Sequence, residues 1–207
     1  MVFLCHNFQM NDSSKQNKDQ LRKTLVNNRE RQSIVNQHQK SLLIAKNIAE
    51  SVIFSKAKKV AFYHAVRGEA DPSSLINTVS QSSKQFYLPT LSTNKDQGLV
   101  FAPINKNTQY KSNQFSIPEP LVKKEELINA NELDLVIMPL LGFDLLGNRL
   151  GMGGGYYDRS FSFKKNTQTK PTLLGFAYDF QEIPNLEPEP WDIPFDMLAT
   201  ESRFITF

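Results

Sequence analysis

Short apolar runs separated by turn residues constrain the fold of this chain most strongly. The run LDLVIMP (133–139) has almost no polar residue after Asp134, which is typical of a strand covered on both faces. Further strands are predicted at 59–65, 85–89, 99–104 and 172–179, with short ones near 197–200 and 203–207. The polar, proline-containing segment 105–121 is predicted to be a loop or a short edge hairpin. Continuous apolar strands that alternate with helices predict an α/β fold with a mainly parallel mixed sheet.

Helical periodicity dominates residues 18–54, which contain neither Gly nor Pro. Apolar residues recur there at about the helical spacing, and Ser33 is expected to cap the start of a second helix. Further on, Asp71 and Pro72 suit an N-cap and the first helical position, and predict a helix through Val79. The chain thus begins with a helical segment that precedes the strands.

The length of 207 residues suits one compact domain, and 15 Phe side chains offer material for a core. We expect a disordered tail over residues 1–17 and a single domain over residues 18–207, acting as a monomer. No apolar run approaches the ~18 residues of a membrane span, and the start lacks the features of a signal peptide. Cys5 is the lone cysteine, which excludes a disulfide within the chain and suits the cytoplasm.

The net charge of +3 and the pI near 8.9 suit an anionic ligand. The basic residues form no dense stripe, so we do not expect nucleic acid or a membrane as a partner. His6 and His38 have no supporting context and receive no role.

The segment LGFDLLGNRLGMGGGYYD (141–158) concentrates glycine directly after the strongest predicted strand. Four glycines lie between Gly151 and Gly155, and the residues that follow suit the start of a helix. Backbone N–H groups in such a connection favour phosphate, and ligands of α/β sheets bind beyond the carboxyl ends of strands. Arg149 is expected to be an exposed loop residue that neutralises phosphate. Asp144 and Asp158 bracket the segment, either to take a metal or to hold Arg149.

Two common nucleotide fingerprints do not match this segment. A Walker A loop requires a Gly-Lys-Ser/Thr end, and no Lys occurs between Arg149 and Arg159. The dinucleotide pattern G-x-G-x-x-G, counted from Gly151, would place its last glycine at Tyr156. The residues alone leave two interpretations open: a phosphate loop of another type, or a tight strand-to-helix turn without a ligand.

With its neighbours included, the segment FDLLGNRLGMGGGYYDR strongly resembles the signature of the 5-formyltetrahydrofolate cyclo-ligase family. Weaker blocks agree in type and order, namely KDQLR (18–22), RGEAD (67–71), FAYDFQ (176–181), PWDIPFD (190–196) and ATESRF (199–204). The resemblance covers residues 18 to 206 and implies a three-layer α/β sandwich.

The resemblance also implies a reaction. The family converts 5-formyltetrahydrofolate to 5,10-methenyltetrahydrofolate, with ATP as co-substrate, Mg²⁺ as cofactor, and ADP and phosphate as products. The formyl oxygen of an amide is nucleophilic, so it can accept the γ-phosphoryl group and become a leaving group. The folate N10 then closes the ring, and the protein mainly positions its substrates and neutralises charge.

Carried over residue by residue, the resemblance implies a set of site residues. Arg149 and Tyr156 are the catalytic candidates. The ATP site would contain Lys18, Arg22, Arg149, Leu150, Gly151, Met152, Gly153, Gly154, Gly155, Tyr156 and Tyr157. The folate site would contain His64, Glu69, Met152, Gly153, Gly154, Gly155 and Tyr156. Asp158 and Asp192 would bind Mg²⁺, and Gln181 is a further candidate contact.

Each role has a plainer structural alternative. Lys18 and Arg22 would suit a solvated helix face, and His64 or the two tyrosines would suit core packing. Glu69 could be a carboxylate at a helix N-terminus, and Asp196 a structural neighbour of Asp192. Trp191 stands where many relatives of the family have His, which removes an imidazole beside Asp192.

The alternatives at the level of function are three. They are a relative that acts on another substrate, a non-catalytic nucleotide- or phosphate-binding module, and a sugar-phosphate isomerase or CoA-transferase of similar architecture. The RGEAD turn speaks against the first, and the Asp158–Asp192 pair speaks against the second. No catalytic base or acyl-accepting glutamate stands out for the third.

Overall fold

A seven-stranded mixed sheet forms the centre of the computed structural model, which describes residues 10–77, 84–94, 98–166 and 170–207. The strands outside the two short hairpins are β1 (Lys59–Ala61), β2 (Gln85–Leu91), β3 (Leu99–Ile104), β6 (Leu135–Met138), β9 (Thr172–Phe176), β10 (Met197–Ala199) and β11 (Phe204–Thr206). Their order is β11-β10-β9-β6-β1-β2-β3. Neighbours from β10 to β2 are parallel, and the edge strands β11 and β3 are antiparallel to their neighbours. The mainly parallel mixed sheet is confirmed.

The α-helices of the described residues are α1 (Met10–Glu30), α2 (Ile34–Ala49), α3 (Val52–Lys56), α4 (Ser74–Asn77) and α5 (Tyr156–Ser160). Short 3-10 helices cover Lys124–Glu126, Ala130–Glu132, Ser162–Asn166 and Asp179–Gln181. Ser33 caps α2 as predicted, because its hydroxyl accepts the N–H of Asn36 at 3.2 Å. Asp71 caps the turn before α4 by accepting the N–H of Ser73 at 2.9 Å.

Two short hairpins complete the structure. The pair β4 (Tyr110–Ser112) and β5 (Pro118–Pro120) is antiparallel and lies within 105–121, where a hairpin was one of the two expectations. The pair β7 (Gly142–Phe143) and β8 (Arg149–Leu150) lies inside the glycine segment and was not predicted. The connection from β6 to α5 is therefore a hairpin followed by a loop.

The sheet has an apolar core on each face, which gives three layers. One core joins Ile44 and Ile48 of α2 to Leu135 and Ile137 of β6. The other joins Phe161, just after α5, to side chains on the opposite face of the same strands. A third, smaller cluster packs Leu25 and Val26 of α1 against Leu150 at the glycine segment. The α/β class with a covered sheet is confirmed.

Several predicted boundaries were wrong. The helix α1 begins at Met10, so residues 10–17 of the expected disordered tail are helical, whereas 1–9 lie outside the described residues. Strand β1 ends at Ala61, β6 covers only the centre of 133–139, and β9 ends at Phe176. The predicted helix from Pro72 begins at Ser74, and Val79 lies outside the described residues.

Topology brings the predicted site segments together. The strands β1 and β6 are parallel neighbours, so the segments that follow them leave the sheet at the same edge. One of these segments is RGEAD (67–71), and the other is the glycine segment. The segment after β9 leaves the same edge, because β9 is parallel to β6.

Candidate active site

Asp144 organises the turn of the β7–β8 hairpin. Its carboxylate accepts the backbone N–H groups of Leu146 and Asn148, both at 2.9 Å, and the N–H of Leu186 at 3.2 Å. Its side chain is almost fully buried. Asp144 also accepts from Asn148 Nδ2 at 2.9 Å, so both oxygens of its carboxylate are occupied within the hairpin and its neighbourhood.

The loop Gly151–Gly155 follows the hairpin and leads into α5. Gly153 and Gly155 have φ angles of 91° and 63°, a region that side chains with a Cβ rarely adopt. A Cβ at Gly155 would also lie 2.9 Å from Arg159 Nη1. Within the described residues, the backbone N–H groups of this loop donate no hydrogen bond. The loop can therefore donate hydrogen bonds to an anion.

One basic residue of α1, Arg22, lies against this loop, and Lys18 lies one helical turn before it. Arg22 Nε donates to the carbonyl of Gly151 at 3.0 Å, and its guanidinium carbon would lie 3.6 Å from a Cβ at Gly153. Lys18 Nζ pairs with Glu189 Oε1 at 2.7 Å. Both side chains are mostly buried, at 18% exposure for Lys18 and 24% for Arg22. The interpretation of these residues as a solvated helix face was therefore wrong.

The side chain of Arg149 is buried, which corrects the expectation of an exposed loop arginine. Its Nη2 pairs with Asp158 Oδ1 at 2.5 Å, and the two side chains are 6% and 15% exposed. Its guanidinium stacks over the Tyr157 ring at 5.8 Å. A Cβ at Gly151 would lie 3.2 Å from its Nη1, and its Nε has no partner among the described residues. Arg149 thus packs against the loop at Gly151, and the ion pair with Asp158 fixes the position of the guanidinium.

Arg159 is a third cation at the loop, and sequence reasoning missed it. Its Nη1 donates to the carbonyl of Gly154 at 3.0 Å, and its guanidinium lies 4.9 Å from the centre of the Tyr156 ring. It lies one helical turn after Gly155, on the helix that the glycine segment begins, and this spacing was visible in the sequence. Arg22, Arg149 and Arg159 thus lie at the loop, and such basic side chains suit phosphate. Lys18, Arg22 and Arg149 are also paired with the carboxylates of Glu189, Asp19 and Asp158.

The two tyrosines have different surroundings. Tyr157 packs inward and stacks on the buried Phe161, with ring centres 6.2 Å apart. Tyr156 contacts Phe115, at the tip of the β4–β5 hairpin, edge to face at 5.8 Å. Met152 is 54% exposed at the surface of the loop. The inward packing expected for one tyrosine applies to Tyr157, and Tyr156 borders the hairpin.

Glu69 lies in the turn that follows β1, and its side chain is 10% exposed. Its Oε2 accepts the N–H of Val66 at 3.1 Å, and its Oε1 lies 3.4 Å from Nη1 of the fully buried Arg29. Burial raises the pKa of Glu69, while the charge of Arg29 and the hydrogen bond from Val66 oppose that rise. Sequence reasoning missed Arg29, although it follows Leu21 and Leu25 at helical spacing on the buried face of α1.

Electrostatics connect the Glu69 turn to the glycine segment. Burial, followed by the charge of Glu69, raises the pKa of Tyr157, and the charge of Arg149 lowers it. Burial and Glu69 also raise the pKa of Tyr63, which follows β1. Residues of the RGEAD block and of the glycine segment are therefore close enough to influence one another.

His64 lies between β1 and Glu69. Its ring packs edge to face on Tyr110 of β4 at 5.5 Å, and its buried Nε2 has no partner among the described residues. Burial lowers the pKa of His64, and Asp71 opposes this shift. Burial thus favours a neutral imidazole, which packs next to the β4–β5 hairpin.

The loop 189–193 brings Asp192 near Asp158. Asp158 Oδ1 accepts the N–H of Ile193 at 3.1 Å, and Asp192 Oδ2 accepts the N–H of Glu189 at 2.8 Å. The other oxygen of each carboxylate accepts no hydrogen bond within the described residues. No cluster of three or more acidic, His or Cys side chains suited to a metal occurs in that part of the chain. Carboxylate oxygens of this kind are the ligands that Mg²⁺ takes, and Mg²⁺ often binds one or two carboxylates and completes its shell with phosphate oxygens and water.

Two neighbouring candidates have structural partners instead. Gln181 is buried, and its Nε2 donates to the carbonyls of Leu140 and Leu141 at 2.8 and 3.0 Å. Asp196 accepts the N–H of Leu173 at 2.7 Å and pairs with Lys164 at 3.2 Å. Gln181 is therefore hydrogen-bonded to the backbone that follows β6, and Asp196 is hydrogen-bonded to the backbone at the start of β9.

A mixed, mainly parallel sheet, with a glycine loop and basic side chains at its carboxyl edge, defines a protein of the α/β class. The chain belongs to the 5-formyltetrahydrofolate cyclo-ligase family, whose model matches residues 14–201. No helix in the described ranges is long and apolar enough to cross a bilayer.

Known proteins of this kind resemble the chain over most of its length. A 5-formyltetrahydrofolate cyclo-ligase from Haemophilus influenzae is 35% identical over 89% of this chain and 98% of its own. Another from Escherichia coli is 35% identical over 71% of this chain and 80% of its own. The NMR structure of Aquifex aeolicus 5,10-methenyltetrahydrofolate synthetase matches with a TM-score of 0.77 and 31% identity, covering 91% of this chain and 92% of that one.

Proposed function

We propose that this protein converts 5-formyltetrahydrofolate to 5,10-methenyltetrahydrofolate with ATP, at the cleft between the glycine loop and the Glu69 turn. Membership of the cyclo-ligase family supports the reaction. One observation supports this location. The strands β1 and β6 are parallel neighbours, so the acidic turn after β1 and the cation-lined loop after β6 lie at one edge of the sheet. A carboxylate suits the N–H donors of a pterin, and the cations suit a triphosphate.

ATP binds the glycine loop in this proposal. The unpaired N–H groups of Gly151–Gly155 donate to phosphate oxygens, and Lys18 and Arg22 neutralise charge from the side of α1. Arg149 stabilises the charge of the transferring group, and Arg159 adds a cation on the far side of the loop. The proposed ATP site also includes the side chains in or directly beside this loop, namely Leu150, Met152, Tyr156 and Tyr157.

The folate lies between the loop and the β4–β5 hairpin. Glu69 accepts hydrogen bonds from pterin N–H groups, and the neutral His64 contributes its unpartnered Nε2. Met152 and Tyr156 line the side that faces ATP, together with Gly153–Gly155. The contact of Tyr156 with Phe115 brings the hairpin to the rim of this site.

The reaction needs the two substrates in one place. The formyl oxygen attacks the γ-phosphorus, and the bond from that phosphorus to the bridging oxygen of ADP breaks. The folate N10 then attacks the activated carbon. Phosphate leaves with the former formyl oxygen, and the proton of N10 is released. The protein positions the two substrates and neutralises their charge, because the new bonds form between the substrates themselves.

Asp158 and Asp192 would hold Mg²⁺ beside the phosphates. The cation would neutralise charge on the β- and γ-phosphate oxygens when bound. Asp158 Oδ1 already orients Arg149, so Asp158 would serve both the cation and the arginine. Asp192 belongs to the loop that also contacts α1 through Glu189 and Lys18.

We further propose that residues 18–207 act as a single catalytic domain, as a monomer in the cytoplasm. The extent of the family match and the single cysteine support this setting. Size-exclusion chromatography with light scattering tests the oligomeric state.

The test of the function is direct. The protein is mixed with 5-formyltetrahydrofolate, ATP and Mg²⁺, and the absorbance of the conjugated methenyl product is followed. Product that forms only when ATP is present supports the proposal. No product with ATP, or equal product without it, would reject it.

A further inference from the structure

Arg29 is a fully buried arginine whose hydrogen bonds are incomplete. Its side chain is 1% exposed, and its Nη1 contacts the carbonyl of Leu140 at 3.3 Å and Glu69 Oε1 at 3.4 Å. Its Nε and Nη2 have no partner among the described residues. Burial of a guanidinium with unpaired donors is unfavourable, so the position needs another explanation than stability.

The geometry around Glu69 supplies that explanation. Val66 and Arg29 each contact a different oxygen of the carboxylate, and so fix its plane. The contact of Arg29 with Leu140 ties the same guanidinium to the chain that leaves β6 for the glycine segment. We propose that Arg29 is a positioning residue that holds Glu69 ionised and oriented to accept the N–H donors of the folate. This inference rests on the proposed binding of folate at Glu69.

The charged and titratable groups around Glu69 come from four places. Arg29 lies on α1, Arg67 in the turn itself, Tyr63 after β1, and Tyr157 on α5. Arg67 is an exposed residue that also pairs with Glu30 at 3.2 Å. Burial raises the pKa of Glu69, and Arg29 is the strongest opposing influence. Without Arg29, the carboxyl group of Glu69 would therefore take up a proton at higher pH, and the protonated group would be a poorer acceptor of hydrogen bonds from the folate.

The helix α1 thereby contacts both proposed substrate sites. Arg22 lies near its middle and contacts the glycine loop, while Arg29 lies near its end and contacts Glu69. A buried residue on this helix can thus affect folate binding without contacting ATP.

The test compares Arg29→Met with Arg31→Met, which removes an exposed arginine two residues further along the chain. For Arg29→Met we expect the KM for folate to rise about tenfold, with a larger rise at pH 6 than at pH 8. The KM for ATP should stay within about twofold. Arg31→Met should match the wild type in both constants, and a rise in folate KM equal to that of Arg29→Met would overturn the inference.

A double-mutant cycle with Glu69→Gln separates this inference from the proposed function. If Arg29 acts through Glu69, Arg29→Met should add little to the folate KM once Glu69 is Gln. An equal fold increase in both backgrounds would overturn the inference. An unchanged folate KM in Glu69→Gln alone would instead reject the proposed folate site.

Arg29→Lys covers the case in which the Met variant does not fold. Lysine keeps the positive charge but loses the rigid, planar guanidinium whose Nη1 contacts both Glu69 and Leu140. We expect a folate KM raised severalfold, with the pH dependence of the wild type. A Lys variant with a wild-type folate KM at every pH would reject the orienting role.

Discussion

Arg149 and Asp158 form an ion pair of 2.5 Å beneath the glycine loop, with side chains that are 6% and 15% exposed. The pair connects the strand β8, which precedes the loop, to the helix α5, which follows it. The loop is thus closed at its base by a buried contact, so Arg149 has a structural role in addition to its proposed catalytic role.

The first prediction therefore concerns both stability and turnover. Arg149→Met should lower the free energy of unfolding by about 3–5 kcal/mol, because it leaves Asp158 buried without its partner. Arg149→Lys keeps the charge and should cost less stability, yet turnover should fall about 100-fold because the fork of donors is lost. Urea unfolding and the methenyl assay measure the two effects. Full turnover in the folded Lys variant would contradict the catalytic role.

The second prediction concerns the cations of α1. Lys18→Met and Arg22→Met should each raise the KM for ATP by about 10- to 100-fold, since a hydrogen bond to a charged group contributes about 1.5–3 kcal/mol. The KM for folate should change little. Lys23→Met is the matched control, because Lys23 is exposed on the same helix. A rise in ATP KM for Lys23→Met of the same size would show a general effect of charge, and would count against specific contacts.

Sequence reasoning predicted the fold class and two caps correctly, for identifiable reasons. The apolar run of β6 is buried on both faces, so its pattern indicates a covered strand without tertiary information. Ser33 and Asp71 were correctly expected to cap, because a cap depends on a few neighbouring residues. The site segments converge because parallel strands share a carboxyl edge.

The errors arise where long-range contacts decide the structure. The ion pair of Arg149 with Asp158 was one of the two expectations for Asp158 and is present, but the burial of Arg149 also depends on Tyr157 packed against its guanidinium, which the local pattern does not show. The β7–β8 hairpin depends on Asp144, whose carboxylate bonds to Leu146, Asn148 and the distant Leu186. Strand β1 is short because the chain turns toward Glu69, and Arg29 meets that turn from α1.

The third prediction concerns the pH dependence of folate binding. The pKa of Glu69 in the folded protein is raised by burial, so the carboxylate is lost as the pH falls through that raised pKa. In the wild type, kcat/KM for folate should therefore decline on the acid side. Glu69→Gln should have a lower kcat/KM, by about tenfold or more, and should lack this decline, because the amide does not titrate. Steady-state kinetics between pH 5 and pH 8 provide the measurement, and an acid limb that persists in Glu69→Gln would exclude Glu69 as its source.

The fourth prediction distinguishes the proposed metal ligand from its structural neighbour. Asp192→Asn should raise the Mg²⁺ concentration for half-maximal activity about tenfold or more, because the amide is a weaker ligand than the carboxylate. Asp196 accepts the N–H of Leu173 and pairs with Lys164, so Asp196→Asn should mainly lower stability. Activity titrated with Mg²⁺ at saturating ATP and folate, together with thermal unfolding, separates the two effects. The opposite result, in which Asp196→Asn shifts the Mg²⁺ requirement and Asp192→Asn does not, would show that Asp196 holds the cation. The loop 189–193 would then serve only to fix Asp158 through the N–H of Ile193.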